Sequence, residues 1–98
     1  MSAPLIRVVK LHFRADAVAD FLALFAARRA HIRAYPGCTH LALWRDRADP
    51  SLFFTYSHWE DEAALNAYRH SELFRATWAG TKPLFAKRAE AWSVTQME

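Results

Sequence analysis

The sequence is short of cysteine and glycine, and each shortage excludes a kind of site. Its 98 residues include one cysteine, Cys38, and two glycines. A lone cysteine excludes an internal disulfide and fits a reducing compartment. Two glycines cannot build the glycine-rich loop that holds a nucleotide phosphate. The five histidines show no pair at metal-ligand spacing, so neither a metal nor another cofactor is expected.

The sequence also lacks a long apolar run and a strong excess of one charge. No segment approaches the length of a membrane span, and residues 1–10 do not have the layout of a signal peptide. Thirteen basic residues stand against ten acidic ones, and the basic residues are scattered rather than arranged in a stripe. We therefore expect a cytoplasmic protein that binds neither membrane nor nucleic acid.

What the sequence has in plenty is apolar and aromatic surface. Hydrophobic residues make up 53% of the chain and aromatic residues 14%, which is too much for a disordered segment. The length suits a single domain, residues 1–98. A domain of this size buries a smaller share of its surface than a large one, so the apolar excess indicates self-association.

The hydrophobic pattern predicts alternating strands and helices. Segments typical of β-strands are residues 5–13, 39–47, 51–59 and 90–96. Two segments have the helical period, the first beginning near Asp16 and ending before Pro36, the second beginning at Glu60. The order β-α-β-β-α-β predicts a ferredoxin-like α+β sandwich with an antiparallel sheet.

Several polar and special residues predict where the helices begin and end. Asp16 is a candidate cap for the first helix. Ser71 is expected to cap a continuation of the second helix, and Gly80 and Pro83 are expected to end it.

Helices on one side would leave the other side of the sheet uncovered. An RNA-recognition module uses such a face to stack bases, and the third strand does carry Phe54, Tyr56 and His58 on one side. However, that strand has no glycine and the chain has no basic groove, so RNA binding is not expected. We expect the face to be covered by a second copy, as a homodimer formed through the sheet faces.

One long segment resembles a known family. The run FFTYSHWEDEAALNAYRHSELFRATW, residues 53–78, is similar to the antibiotic biosynthesis monooxygenase (ABM) family, and the turn at Pro36–Cys38 and the terminal EAWSV resemble it too. The resemblance implies a dimeric α+β barrel with a pocket between helices and sheet. Members of known activity include cofactor-free monooxygenases of quinols and polycyclic phenols, and a branch that degrades haem.

The resemblance argues against the haem-degrading branch. That branch has an asparagine on the first strand, and a tryptophan and a histidine in the second helical region. The matching positions here are Val9, Tyr68 and Trp78. Without the imidazole the iron would lack an obvious protein ligand.

The family resemblance leaves a quinol-like or polycyclic aromatic small molecule as the expected substrate of a cofactor-independent monooxygenase. It implies Trp59, Tyr68, Trp78 and Val9 as the substrate-binding set. His58 and His70 are candidate bases, because imidazole titrates near neutral pH. The alternative is a non-catalytic dimeric protein that binds a small hydrophobic ligand in the same cleft.

Overall fold

The computed structural model describes residues 4–98 and has the predicted ferredoxin-like α+β fold. Its strands are β1 (Leu5–His12), β2 (Cys38–Arg45), β3 (Leu52–Trp59) and β4 (Glu90–Val94). Its helices are α1 (Val18–Arg33), α2 (Glu62–Arg69) and α3 (Glu72–Thr81), with short 3-10 turns at Ala15–Ala17 and Lys82–Leu84. The second predicted helix is thus two consecutive helices.

The four strands form one antiparallel sheet in the order β2-β3-β1-β4. The two central strands are the segments richest in β-branched and aromatic residues, which suits strands paired on both sides. Helix α1 packs beside α3 and against β2, and α2 packs on β3. All helices therefore lie on one side of the sheet, the covered face.

The strand register assigns each side chain to a face. Arg7 and Val9 pair with Ser57 and Thr55, and these residues point toward the helices. Their neighbours along the strands point the other way, onto the side that we call the open face. The open face carries Ile6, Val8, Lys10, His40, Ala42, Trp44, Phe54, Tyr56, His58, Trp92 and Val94.

The helix ends confirm one predicted cap and correct two other expectations. Ser71 caps α3, its Oγ accepting a hydrogen bond from the Phe74 N–H at 3.1 Å. Asp16 does not cap α1, because it lies inside the 3-10 turn and instead pairs with Arg14 at 3.3 Å. Gly80 does not end α3, which continues to Thr81. Packing against α1 outweighs the low helix propensity of one glycine.

Gly37 sets the distance between the turn before β2 and helix α2. Its backbone has φ of +90°, in the left-handed region that favours glycine. A Cβ at this position would overlap the Ala64 side chain on α2. Glycine thus permits both the turn and the close approach of α2 to the sheet.

The core under the helices is divided into two clusters. The first is built on Leu11, Phe13, Phe21 and Phe53, near the end of β1. The second is built on Cys38, Trp59 and Leu65, at the opposite end of the sheet. Phe13, Phe53 and Trp59 are the largest fully buried side chains among residues 4–98. The space between the two clusters is the cavity described below.

Among the described residues, no helix has both the length and the apolar character needed to cross a membrane.

Candidate active site

A cavity of about 360 Å³ lies between the helices and the covered face of the sheet. Its size falls within the range of small-molecule sites. The first core cluster contributes Leu11 and Phe21 to its wall, and the second contributes Trp59 and Leu65. Most of its remaining apolar wall comes from Val9, Phe25, Ile32, Leu41, Tyr68, Phe74, Trp78, Ala89 and Ala91.

This one cavity is lined by all four residues expected from the family resemblance, which are Val9, Trp59, Tyr68 and Trp78. The Trp59 and Tyr68 rings are stacked, with centroids 4.9 Å apart and an angle of 26° between their planes. Phe74 lies between Tyr68 and Trp78. Its ring centroid is 5.3 Å from that of Tyr68 and 6.0 Å from that of Trp78. That these residues contact a substrate stays a prediction.

Trp59 is held in place by a buried hydrogen bond. Its Nε1–H donates to the Ser57 Oγ at 3.0 Å, and both side chains belong to the covered face because they are two residues apart on β3. Trp59 is 1% exposed, so loss of this acceptor would leave its indole N–H buried without a partner. The bond therefore fixes the ring that forms one wall of the cavity.

Tyr68 presents a neutral hydroxyl. Burial raises the pKa of Tyr68 to about 12, and the negative charge that Cys38 carries when ionised adds to the rise. Within residues 4–98 its hydroxyl makes no hydrogen bond, so it is free to donate one to a ligand. At neutral pH Tyr68 is a hydrogen-bond donor and not a base.

The cavity also contains a polar group that has no hydrogen-bond partner within the described range. Among residues 4–98, the Thr77 Oγ1 is the one buried side-chain oxygen or nitrogen without a hydrogen bond. Thr77 lines the cavity on the α3 side. A buried hydroxyl without a partner is uncommon in folded proteins, and one beside a cavity is a natural contact for a bound molecule.

The two candidate bases, His58 and His70, do not line this cavity, and that either acts as a base stays a prediction. His58 points to the open face, where its Nε2 is 2.7 Å from the Tyr56 hydroxyl and its ring is 5.1 Å from that of His40. Neighbouring residues of a strand face opposite sides, so His58 cannot share the side of Trp59. His70 follows the end of α2, is exposed, and its Nδ1 lies 2.7 Å from the Asn66 carbonyl oxygen.

The side chains that residues 4–98 contribute to the cavity are not suited to act as a base or to hold a metal. Among residues 4–98 its lining includes no Asp, Glu or His. No group of three or more His, Cys, Asp or Glu side chains within the described range is arranged to bind a metal ion. Cys38 is buried beside Trp59, and burial raises the pKa of its thiol, which disfavours the nucleophilic thiolate.

Four functional candidates were missed by reasoning from the sequence: Arg7, Ser57, Arg69 and Thr77. Ser57 alternates with Trp59 on β3, so its side of the sheet could have been predicted. Arg7 could have been found, because it alternates with Val9 and Leu11 and so places a charge among apolar residues of the covered face. Arg69 and Thr77 show no such signal. Whether they reach the cavity depends on how α2 and α3 pack on the sheet.

Comparison with known proteins identifies the family. The model of the antibiotic biosynthesis monooxygenase family matches residues 4–79 of this chain. The chain belongs to that family. Among curated proteins, none matches its sequence.

Solved structures with the same fold cover nearly the whole chain. A protein of Pseudomonas aeruginosa is 26% identical with a TM-score of 0.88, the match covering 100% of this chain and 98% of the other. A conserved protein of Methanosarcina mazei is 17% identical with a TM-score of 0.91, covering 96% and 93%. A variant of SnoaB, a cofactor-independent oxygenase of Streptomyces nogalater, is 20% identical with a TM-score of 0.88, covering 99% and 96%. At 17% and 20% identity, the last two establish the fold alone.

The raised pKa of Tyr68 predicts a loss of stability in alkali. The unfolded chain releases the Tyr68 proton near the ordinary value of 10.0, whereas the folded protein retains it until about 12. The unfolded state therefore binds fewer protons across this window, and the free energy of unfolding falls as pH rises through it. Urea unfolding at about pH 9.5 and pH 11 should show a smaller fall for Tyr68→Phe than for the wild type. Tyr56→Phe, on the open face, is the matched control. An equal fall in wild type and Tyr68→Phe would contradict the assignment.

Proposed function

We propose that the protein is a cofactor-independent monooxygenase that acts on a quinol-like or polycyclic aromatic small molecule. Its membership of the monooxygenase family supports the reaction class. The observation that carries the substrate class is the cavity, an aromatic-walled chamber with hydrogen-bond donors and an unpartnered Thr77 hydroxyl. Flat aromatic molecules suit such walls because stacked and edge-on ring contacts add to the area they bury.

The chemistry requires that the substrate become an anion. An electron-rich phenolate or enolate transfers one electron to O₂, and the resulting radicals combine to form a C–O bond. In an anthrone-like substrate the ring CH₂ then loses both hydrogens and becomes C=O, and the second oxygen atom leaves as water. The substrate supplies all the electrons, so the overall change from CH₂ and O₂ to C=O and H₂O is balanced.

The side chains of the cavity suit stabilisation of this anion better than removal of its proton. Tyr68 and Ser57, which both line the cavity, offer hydroxyl donors. Donors placed where charge develops lower the pKa of the bound phenol and favour the anion. Exclusion of water by the aromatic walls strengthens these contacts. In this proposal the substrate's proton passes to solvent and not to a side-chain base, because stabilising the anion lowers the pKa of the bound phenol.

A second candidate function is non-catalytic binding of a small hydrophobic ligand by the dimer. It is favoured by one observation, the absence of Asp, Glu and His from the lining contributed by residues 4–98. The two functions differ in whether O₂ is consumed. Both require the same cavity.

Oxygen uptake with a panel of hydroquinones and anthrone-like phenols, with a chelator and no added metal, distinguishes these functions. We expect one or more compounds to raise uptake well above the protein-free rate. Because Tyr68 is placed to donate to the anion, Tyr68→Phe should lower kcat/KM by about tenfold or more. Tyr56→Phe, which removes a hydroxyl from the open face, should change it less than about twofold. Micromolar binding without any uptake would reject the oxygenase and favour the binding protein.

The proposed assembly is a homodimer in which two open faces pack together. Trp44, Trp92 and Val94 on this face are 47%, 45% and 43% exposed, and Trp44 stacks on Tyr56 with ring centroids 4.5 Å apart. Such a patch of large apolar side chains is unusual on a monomer. A two-fold pair would cover it with the same patch of the partner, as in a standard interface of roughly 800 Å² per subunit.

Light scattering on a sizing column tests this assembly. At micromolar concentration we expect a mass of about twice the 11.3 kDa of one chain. Trp44→Glu should shift the protein toward the monomer, since it would bury a charge in the apolar interface. Ala27→Glu, at an exposed position of α1, adds the same charge elsewhere and should remain dimeric. A folded wild-type species of one chain's mass would refute the dimer.

A further inference from the structure

Two arginines reach the same aromatic cavity from different elements. Arg7 lies on the covered face of β1, between Leu5 and Val9, and is half-buried. Arg69 is the last residue of α2, next to Tyr68, and is exposed. Both line the cavity. The chamber is therefore apolar over most of its wall but carries two positive charges together.

Within residues 4–98, no carboxylate pairs with either charge. Among residues 4–98 the ion pairs are Lys10–Glu90, His12–Asp49 and Arg14–Asp16, and none of them includes Arg7 or Arg69. Arg7 makes one side-chain hydrogen bond in this range, donating to the neutral Ser93 Oγ at 2.9 Å. The lining from these residues has no carboxylate. A half-buried guanidinium without an acidic partner is unfavourable in the empty protein.

The positive charges of the two arginines also repel each other. Burial lowers the pKa of Arg7, and the positive charge of Arg69 lowers it further. The dipole of α2 accounts for a cation at the end of that helix. It does not account for Arg7, which stands on a strand. The arrangement is explained if a negative group belongs between the two side chains.

We propose that Arg7 and Arg69 form an anion-binding subsite, and that the molecule held in the cavity is an aromatic acid whose carboxylate pairs with them. The inference rests on the proposed function for the location of the site and narrows its substrate class. The aromatic part would contact Trp59, Tyr68 and Trp78, and the carboxylate would face Arg7 and Arg69.

A carboxylate fits this pair better than a phenol hydroxyl does. Guanidinium groups are permanently charged and present a planar pair of donors that matches a carboxylate. A carboxylate is ionised at neutral pH, whereas a phenol is neutral until about pH 10. Pairing in a partly desolvated site also strengthens the attraction relative to water. The carboxylate would therefore anchor the molecule before the reaction and leave its hydroxyl for the donors Tyr68 and Ser57.

Binding of three related probes, measured by calorimetry, tests the subsite without requiring turnover. The probes are 3-hydroxy-2-naphthoate, its neutral amide 3-hydroxy-2-naphthamide, and 2-naphthol. All share one ring system, and the amide reproduces the shape of the acid without its charge. We expect wild-type protein to bind the acid about tenfold or more tightly than the amide, the size of effect typical of charge-assisted hydrogen bonds.

Variants assign the preference to the two side chains. Arg7→Gln and Arg69→Gln should each reduce the preference for the acid several-fold and leave binding of 2-naphthol nearly unchanged. Arg69 is exposed and makes no ion pair within residues 4–98, so its variant should fold even if Arg7→Gln does not. Arg47→Gln removes the same charge from the exposed β2–β3 turn and should keep the full preference.

Equal binding of acid and amide by the wild type would overturn the subsite, as would failure of all three probes to bind. A preference lost equally in Arg47→Gln and Arg69→Gln would also overturn it, because net charge would then explain it. The result of this binding experiment is independent of the result of the oxygen-uptake experiment. Preferred binding of the acid without oxygen uptake would retain the subsite and reject the oxygenase. Oxygen uptake with neutral quinols, without a preference for the acid over the amide, would retain the oxygenase and reject the subsite.

Discussion

The geometry of the site depends on how the Trp59 ring is held at the end of β3. Its indole N–H donates to Ser57 on the same strand, and its face stacks on Tyr68 from α2. The Trp59 ring is 1% exposed, belongs to the second core cluster and anchors α2 to the sheet. If this ring were smaller, the helix would pack closer to the sheet or leave a void, and either outcome would change the cavity.

Because the core is divided, the space between its two clusters is bounded by well-packed side chains on both sides. Leu11 and Phe21 form one boundary, with the rings of Phe13 and Phe53 packed behind Phe21, and Trp59 and Leu65 form the other. The packing of these side chains holds the cavity open. Its polar groups project from β1, β3, α2 and α3 into the same volume. That convergence allows a domain of 98 residues to contain a chamber for a small aromatic molecule.

The sequence was sufficient for the fold because strand and helix patterns are local. Alternation placed the four strands within a residue or two of their observed ends, and the serine at the start of α3 was recognisable as a cap. His58, a candidate base, lies outside the cavity for a reason also visible in the sequence. His58 and Trp59 are consecutive on a strand and cannot both face the cavity. The pairing of Arg7 with Arg69 was not predictable, since it depends on the position of α2 over β1, which is set by long-range packing.

The most direct test of the central claim uses the four tryptophans, two on the cavity side of the sheet and two on the open face. Trp59 and Trp78 line the cavity, whereas Trp44 and Trp92 lie on the open face. With the indole nitrogens labelled, each tryptophan gives one N–H signal that single Trp→Phe variants can assign. Titration with 2-naphthol should shift the signals of Trp59 and Trp78 and leave those of Trp44 and Trp92 in place. Shifts confined to Trp44 and Trp92 would show that aromatic molecules bind the open face and would contradict the assignment of the cavity as the site.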